Sequence, residues 1–213
     1  MKNLKTLKSE AKSIFGPYYI YCLIIVMIYS AVMGAPGFFS AGQLVMEKMS
    51  VSQSISQTVM LLSSVIVIFV VIPMEVGVKR FFLNLTRGEA EMGDIIAPFK
   101  NSLSRTVIIL ILRNIKIMLW SCLLIVPGIY KAYEYAMVPY ILAEQPGIQT
   151  KHAFERSKKM MAGNKLNLFK LQISFLGWYI LALIPAFAGL VFLAPYTNTA
   201  YALFYDEIKK NIK

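Results

Sequence analysis

An all-α fold embedded in a membrane is what this sequence predicts, and three observations predict it. The 213 residues are 57% hydrophobic and only 15% charged, where a soluble domain holds about 45–50% apolar and about 25% charged residues. The apolar residues gather into runs long enough to cross about 30 Å of hydrocarbon, which takes about 20 residues. The charge is lopsided, with 22 Lys and Arg against 11 Asp and Glu and a net of +11, and most of the excess falls in the connectors between runs.

Taken in order, the first run is Pro17 to Phe39 and the second is Ile55 to Phe82. A third extends from Thr106 to Ala143 across Pro127-Gly128, and a fourth from Leu171 to Tyr205 across Pro185 and Pro195. A straight helix over 106–143 would reach roughly 57 Å, nearly twice the hydrocarbon thickness, so each of the last two runs must fold back. Proline with glycine is where a helix most easily ends. The reading is therefore helices at 106–126, 129–144, 168–190 and 193–206, with the second member of each pair only about 21–24 Å long. Such short members suit a thinned bilayer or a re-entrant hairpin.

Six membrane-embedded helices in three hairpins result: 17–83, 94–144 and 150–206, after an interfacial helix at 1–16, all in one membrane domain over 1–213. This layout puts Lys2, Lys5, Lys8 and Lys12, the 79–105 cations, the 151–170 cations and Lys209, Lys210 and Lys213 on one side. The other side receives Lys48 and Lys131. Positive residues favour the cytoplasm, so both termini are expected there. The first apolar run exceeds the 7–15 residues of a signal-peptide core and reads as an uncleaved anchor.

Each hairpin is introduced by an amphipathic segment. Leu4, Leu7, Ala11, Ile14, Phe15 and Tyr18 recur every three or four residues, interleaved with lysines. Ile95, Ile96, Phe99 and Leu103 form a second stripe; Ala153, Phe154, Met160 and Met161 form a looser third. A basic helix of this kind suits the headgroup plane, and the alternative is a cytoplasmic end packed on other loops. The last two hairpins also resemble each other: Trp120 stands seven residues before Pro127, and Trp178 seven before Pro185. Pro139-Tyr140 answers Pro195-Tyr196. A repeat in one orientation needs an even number of crossings per unit.

Ionisable groups inside a bilayer are costly and count as candidates for function: here Glu75, Arg113, Lys116 and Glu134. Arg113 and Lys116 share a helix face, which could turn inward to pair with Glu75 or bind an anionic headgroup. The favoured alternative has Arg113 snorkelling to the cytoplasmic interface, with Glu75 one turn from Lys79. His152 reads as solvated surface, and Asp94 with Glu89 and Glu91 as a solvated loop. Cys22 and Cys122 lie in apolar runs and fit neither a disulfide framework nor a zinc site. The sequence holds no Ser/His/Asp set, zinc spacing or phosphate-cradling glycine loop. No enzyme, cofactor or metal is expected. Nucleic acid is not an expected partner either, because aromatics are not interleaved on a polar platform.

The segments WSCLLIVPGIYKAYEY (120–135), AFERSKKMMAGNKLNLF (153–169), ISFLGWYILALIPAF (173–187) and APYTNTAYALFYDE (194–207) resemble the domain-of-unknown-function family 975. Trp120, Pro127, Gly128, Ser157, Met161, Gly163, Asn164, Lys165, Gly177, Trp178, Pro195, Tyr196 and Tyr205 carry the resemblance. It covers the second half of the chain, while the first half agrees in layout. The resemblance implies a bacterial integral membrane protein, mostly of Gram-positive bacteria, and no settled reaction. A more distant similarity is to the membrane region of some glycerophosphodiester phosphodiesterases, and it implies no catalytic activity. Pro185, Ala186, Phe187 and Ala188 stand where such proteins often show a glycine-rich turn. The expectation is a multi-pass protein of the bacterial cytoplasmic membrane, acting as a non-enzymatic module. It would bind anionic lipid headgroups, a membrane-protein partner or a second copy, in envelope homeostasis or protection against membrane-active peptides. A small transporter or export accessory is the alternative.

Overall fold

The computed structural model describes residues 3–48, 57–58, 61–62, 65–183 and 188–211; side chains at 35–48, 67, 101, 183 and 188 fall outside that description. Among the described residues the fold is all-α, without strands. The helices are α1 (Leu4–Phe15), α2 (Tyr19–Lys48), α3 (Ile72–Arg87), α4 (Ala97–Asn101), α5 (Leu103–Leu123) and α6 (Ile125–Glu134). They continue with α7 (Val138–Glu144), α8 (Thr150–Met161), α9 (Lys165–Ser174), α10 (Leu176–Leu183) and α11 (Ala188–Lys210). A π-helical turn, Val67–Val71, leads into α3, and a short turn of tighter pitch, Met92–Ile95, precedes α4.

Prolines mark where helices begin more often than where they end. Pro73, Pro98 and Pro139 all stand in the first turn of their helices. There the backbone N–H has no intrahelical partner, and the fixed φ of proline already suits a helix. Pro127 follows the same rule. The chain breaks at Leu124, whose backbone is extended, and Pro127 lies in the first turn of α6. The expected break at Pro127-Gly128 is thus moved three residues upstream. The expected helix over 129–144 is two helices, separated by a turn at 135–137. The expected break at Pro195 is absent: this proline lies inside the continuous α11. Pro195 removes the bond to the carbonyl of Val191, while just beyond it Asn198 donates to Ala194 O at 2.9 Å and Thr199 to Pro195 O at 2.8 Å. The expected helix over 168–190 divides at Phe175 into α9 and α10. The turn expected at Pro185 lies in 184–187, outside the described residues.

Two helices organise the core. α3 packs on α7, α11, α2, α5 and the Met92–Ile95 turn, and α11 packs on α1, α2, α3, α8 and α10. Phe82, Leu83, Ile109, Ile141, Phe175, Phe204 and Tyr205 are fully enclosed between them. The first and third amphipathic segments contribute their apolar faces to this same core, and the second contributes Ile95 and part of Phe99 while Ile96 stays exposed. Leu7 and Ala11 of α1 are buried as it packs on α11. Ile95 is buried beside α3, and Ala153, Phe154, Met160 and Met161 of α8 are buried as it packs on α6, α7 and α11. These stripes are therefore internal packing surfaces, the alternative that the sequence left open.

Elsewhere large apolar side chains face outward. Ile20, Tyr21, Met27 and Ile28 do so on α2, Met118, Leu119 and Leu123 on α5, and Leu124, Ile125 and Val126 at the hairpin tip. Leu176, Trp178, Ile180 and Leu181 of α10 extend this belt. Among the described residues α5 is the one helix long and apolar enough by itself to cross a membrane. A second candidate is the pair of α1 with Tyr19–Gly34 of α2, bent by 94°. The breaks at Leu124, 135–137 and Phe175 leave α6, α7 and α9 too short to cross by themselves.

Two close approaches shape the later hairpins. A Cβ on Gly128 would lie 2.7 Å from Ser121 Cα, so only glycine lets α6 fold back tightly on α5. A Cβ on Gly189 would lie 2.6 Å from Ala182 O, so α11 closes on α10 in the same way. In both pairs the glycine follows its small partner by seven residues.

Candidate functional site

Four acidic groups hold the polar interior, and three of them collect basic side chains from elements far apart in sequence. The first joins α3 to α5. Arg113 donates from its two terminal nitrogens to the Glu75 carboxylate at 3.2 and 3.4 Å, and its Nε donates to Asn114 Oδ1 at 3.2 Å. The sequence favoured a snorkelling Arg113; the structure pairs it inward, as the bidentate geometry of guanidinium and carboxylate allows. One turn along α3, Lys79 donates to Asn198 Oδ1 of α11 at 2.8 Å. It also lies 5.5 Å from the ring centre of Tyr140, whose buried hydroxyl has no hydrogen-bond partner among the described residues.

The second cluster surrounds Glu134, the last residue of α6, 2% exposed. Lys131 reaches its carboxylate at 3.0 Å and Lys165 at 3.7 Å, while Ser157 donates to the Glu134 carbonyl at 2.8 Å. A buried carboxylate is tolerable only with such pairing. The structure corrects the placement of Lys131: it shares one carboxylate with Lys165, so both lie on the same side of the molecule. Lys116 does not join Arg113 and Glu75. Its Nζ sits 3.8 Å from the ring centre of Phe154 and 5.9 Å from that of Tyr135, a cation–π arrangement.

The third cluster is centred on Glu144 at the end of α7. It accepts from Arg87 at 2.7 Å, from Tyr205 at 3.1 Å, from Arg156 at 3.5 Å and from Lys209. Arg87 also binds Asp206 at 2.7 Å, and Thr86 donates to the same carboxylate. Burial pulls the Glu144 carboxyl upward, but the hydrogen bonds from Lys209 and Arg87 outweigh it and hold the group below its ordinary range. Burial likewise opposes the Arg87 charge, and the hydrogen bonds to Asp206 and Glu144 reverse that effect and raise it. A mixed-charge cleft of about 690 Å³ opens beside this cluster, lined by Glu10, Arg87, Arg156, Asp206 and Lys210.

The fourth acidic group corrects the sequence reading. Asp94, expected in a solvated loop, is 8% exposed. It accepts from Arg80 at 3.0 Å, from Asn84 at 3.0 and 2.9 Å, and from the Glu91 backbone at 3.2 Å. Proximity in sequence to Glu89 and Glu91 concealed this, since the partners Asn84 and Arg80 lie on α3, ten and fourteen residues away. The Glu144 cluster was missed for the same reason: its partners span residues 87 to 209. His152 is exposed. Among the described residues no group of three or more His, Cys, Asp and Glu is arranged to hold a metal ion.

The residues that carried the resemblance have assignable work. Ser157 and Lys165 bind Glu134, Asn164 donates to Met160 O at 3.0 Å, and Gly163 takes a positive φ of 76° in the turn between α8 and α9. Gly128 closes the α5–α6 hairpin, and Tyr196 packs between Phe15 and Phe175. Trp120 and Trp178 are exposed. Together these features define a helical protein with an outward apolar belt and an interior stitched by ion pairs. Residues 122–212 match the family described as protein of unknown function (DUF975). No curated protein and no solved structure matches the chain.

Proposed function

We propose that the chain is a multi-pass protein of the bacterial cytoplasmic membrane. Its three hairpins enter the bilayer from one side, both termini are cytoplasmic, and it works as a non-enzymatic module that binds anionic lipid. The observation that carries this reading is the outward apolar belt on α2, α5, α6 and α10, the kind of exposed surface that marks a membrane or protein contact. The connectors retain the net positive charge that an anionic leaflet attracts. Protection of the envelope from membrane-active peptides would follow if the module alters the anionic charge those peptides recognise.

Site-directed labelling tests the layout. With Cys22 and Cys122 replaced by serine, Lys158→Cys in intact cells is expected to resist a membrane-impermeant thiol reagent and to react after permeabilisation. Labelling from outside would overturn the layout.

A further inference from the structure

A basic cleft of about 490 Å³ lies where α8 meets the α5–α6 hairpin. Its lining includes Lys116, Lys131, Lys151 and Lys158 against Glu134 and Glu155. Glu134 is already shared by Lys131 and Lys165, and Lys151 reaches Glu155 only at 4.0 Å. Among the described residues no carboxylate pairs with Lys116, whose charge rests on aromatic faces. Thr150, the first residue of α8, also lines the cleft, and no side chain caps that helix end. Its free N–H groups add to the positive field.

The cleft opens onto an apolar surface in a definite order. Trp120 lies one turn beyond Lys116 on the same face of α5 and is exposed, and Leu123 and Leu124 form the exposed tip beyond it. Lys131 Nζ lies 5.4 Å from the Trp120 ring centre. Cation, tryptophan, then aliphatic tip is the sequence of environments met on entering a bilayer: phosphate, interface, hydrocarbon. From Lys116 to Leu124 the helix rises about 12 Å, which is close to the depth of one leaflet, about 15 Å.

We propose that this cleft is a binding site for one phospholipid with an anionic headgroup: Lys116, Lys151 and Lys158 hold the phosphate while the hairpin tip, seated in one leaflet, lies along the acyl chains. The inference rests on the lipid-binding reading and locates it. A soluble phosphate would satisfy the lysines but would leave the adjoining apolar tip without a role.

Fluorescence quenching tests it on the full chain in phosphatidylcholine nanodiscs. Trp178→Phe leaves Trp120 as the single tryptophan of the two in the sequence. Brominated phosphatidylglycerol is expected to quench Trp120 roughly five-fold more strongly than brominated phosphatidylcholine at equal content, the scale of one lysine at an anionic surface. Lys116→Gln with Lys158→Gln should equalise the two lipids. Lys151→Gln, at a side chain 83% exposed and therefore harmless to folding, should reduce the preference by itself. Added inorganic phosphate should leave the preference intact; its loss would reassign the cleft to a soluble anion and overturn the proposal. Equal quenching in the unsubstituted cleft, or a preference indifferent to all three lysines, would also overturn it. The phospholipid retained on purification separates the two claims. Enriched phosphatidylglycerol with equal quenching sinks this site alone, and no enrichment sinks the lipid-binding reading as well.

Discussion

The α5–α6 and α10–α11 hairpins share a closing device and differ in everything after it. In each, a glycine lies against a small residue seven positions earlier, Gly128 on Ser121 and Gly189 on Ala182. The returning arm of the first stops after 10 residues at Glu134, whereas that of the second continues for 23 residues through Pro195. The first hairpin buries Val107, Ile109 and Leu110 near its base but turns its tip outward, with Leu123 to Val126 exposed. The second sends Ala200, Ala202, Phe204, Tyr205 and Ile208 into the core. One hairpin is anchored by charge at its base and the other by packing along its length. Similar sequence patterns can therefore be put to different uses, because burial depends on which neighbours arrive.

Removing the Glu134 carboxylate is the severest way to break the contrast. Glu134→Ala would leave Lys131 and Lys165 without their shared partner, at an expected cost of about 4 kcal/mol. Hydrogen exchange should show α6 losing protection while α11 keeps it; equal loss in both would mean that the hairpins are not separately anchored.

The glycine contacts give a smaller effect that sharpens it. Gly189→Val meets backbone of Ala182 beside the core, and about 3 kcal/mol is expected. Gly128→Val should cost less, about 2 kcal/mol, because the exposed tip can splay. Thermal unfolding in detergent measures both, and the reverse order would refute the packing argument.

The least costly change is Glu144→Gln, which preserves shape and weakens charge-assisted hydrogen bonds, at about 1–2 kcal/mol near neutral pH. Because the folded carboxyl lies below its ordinary value of 4.5, its stabilisation is present above that pH and is lost as pH falls through the folded value. The unfolding midpoints of the parent and Glu144→Gln should therefore converge below pH 4.5. A gap unchanged by acid would show that the Glu144 charge contributes nothing.

Much of the candidate site was legible at the level of which residues, and little at the level of which pairs. Glu75, Arg113, Lys116 and Glu134 stood out because charge within apolar runs is conspicuous. Their pairings did not, because Lys165 reaches Glu134 from 31 residues away and Glu75 meets Arg113 across 38. Asp94 was misread because its neighbours in sequence are solvent-facing while its partners lie on α3. The amphipathic stripes on α1 and α8 were visible, yet periodicity marks a buried face without naming what buries it.

Composition and the lengths of the apolar runs determined by themselves that this chain is helical and that its later runs must double back, since a helix has a fixed rise per residue. The tertiary structure alone decided where the helices break. Leu124 rather than Pro127 ends α5, because a proline in a first turn has no N–H partner to lose, and Pro195 is carried within α11, which its packing on α1, α2, α3 and α10 supports. It also decided that the basic amphipathic segments pack inward. An apolar stripe is satisfied by whichever apolar surface lies nearest, and here that surface is the core formed by α3 and α11.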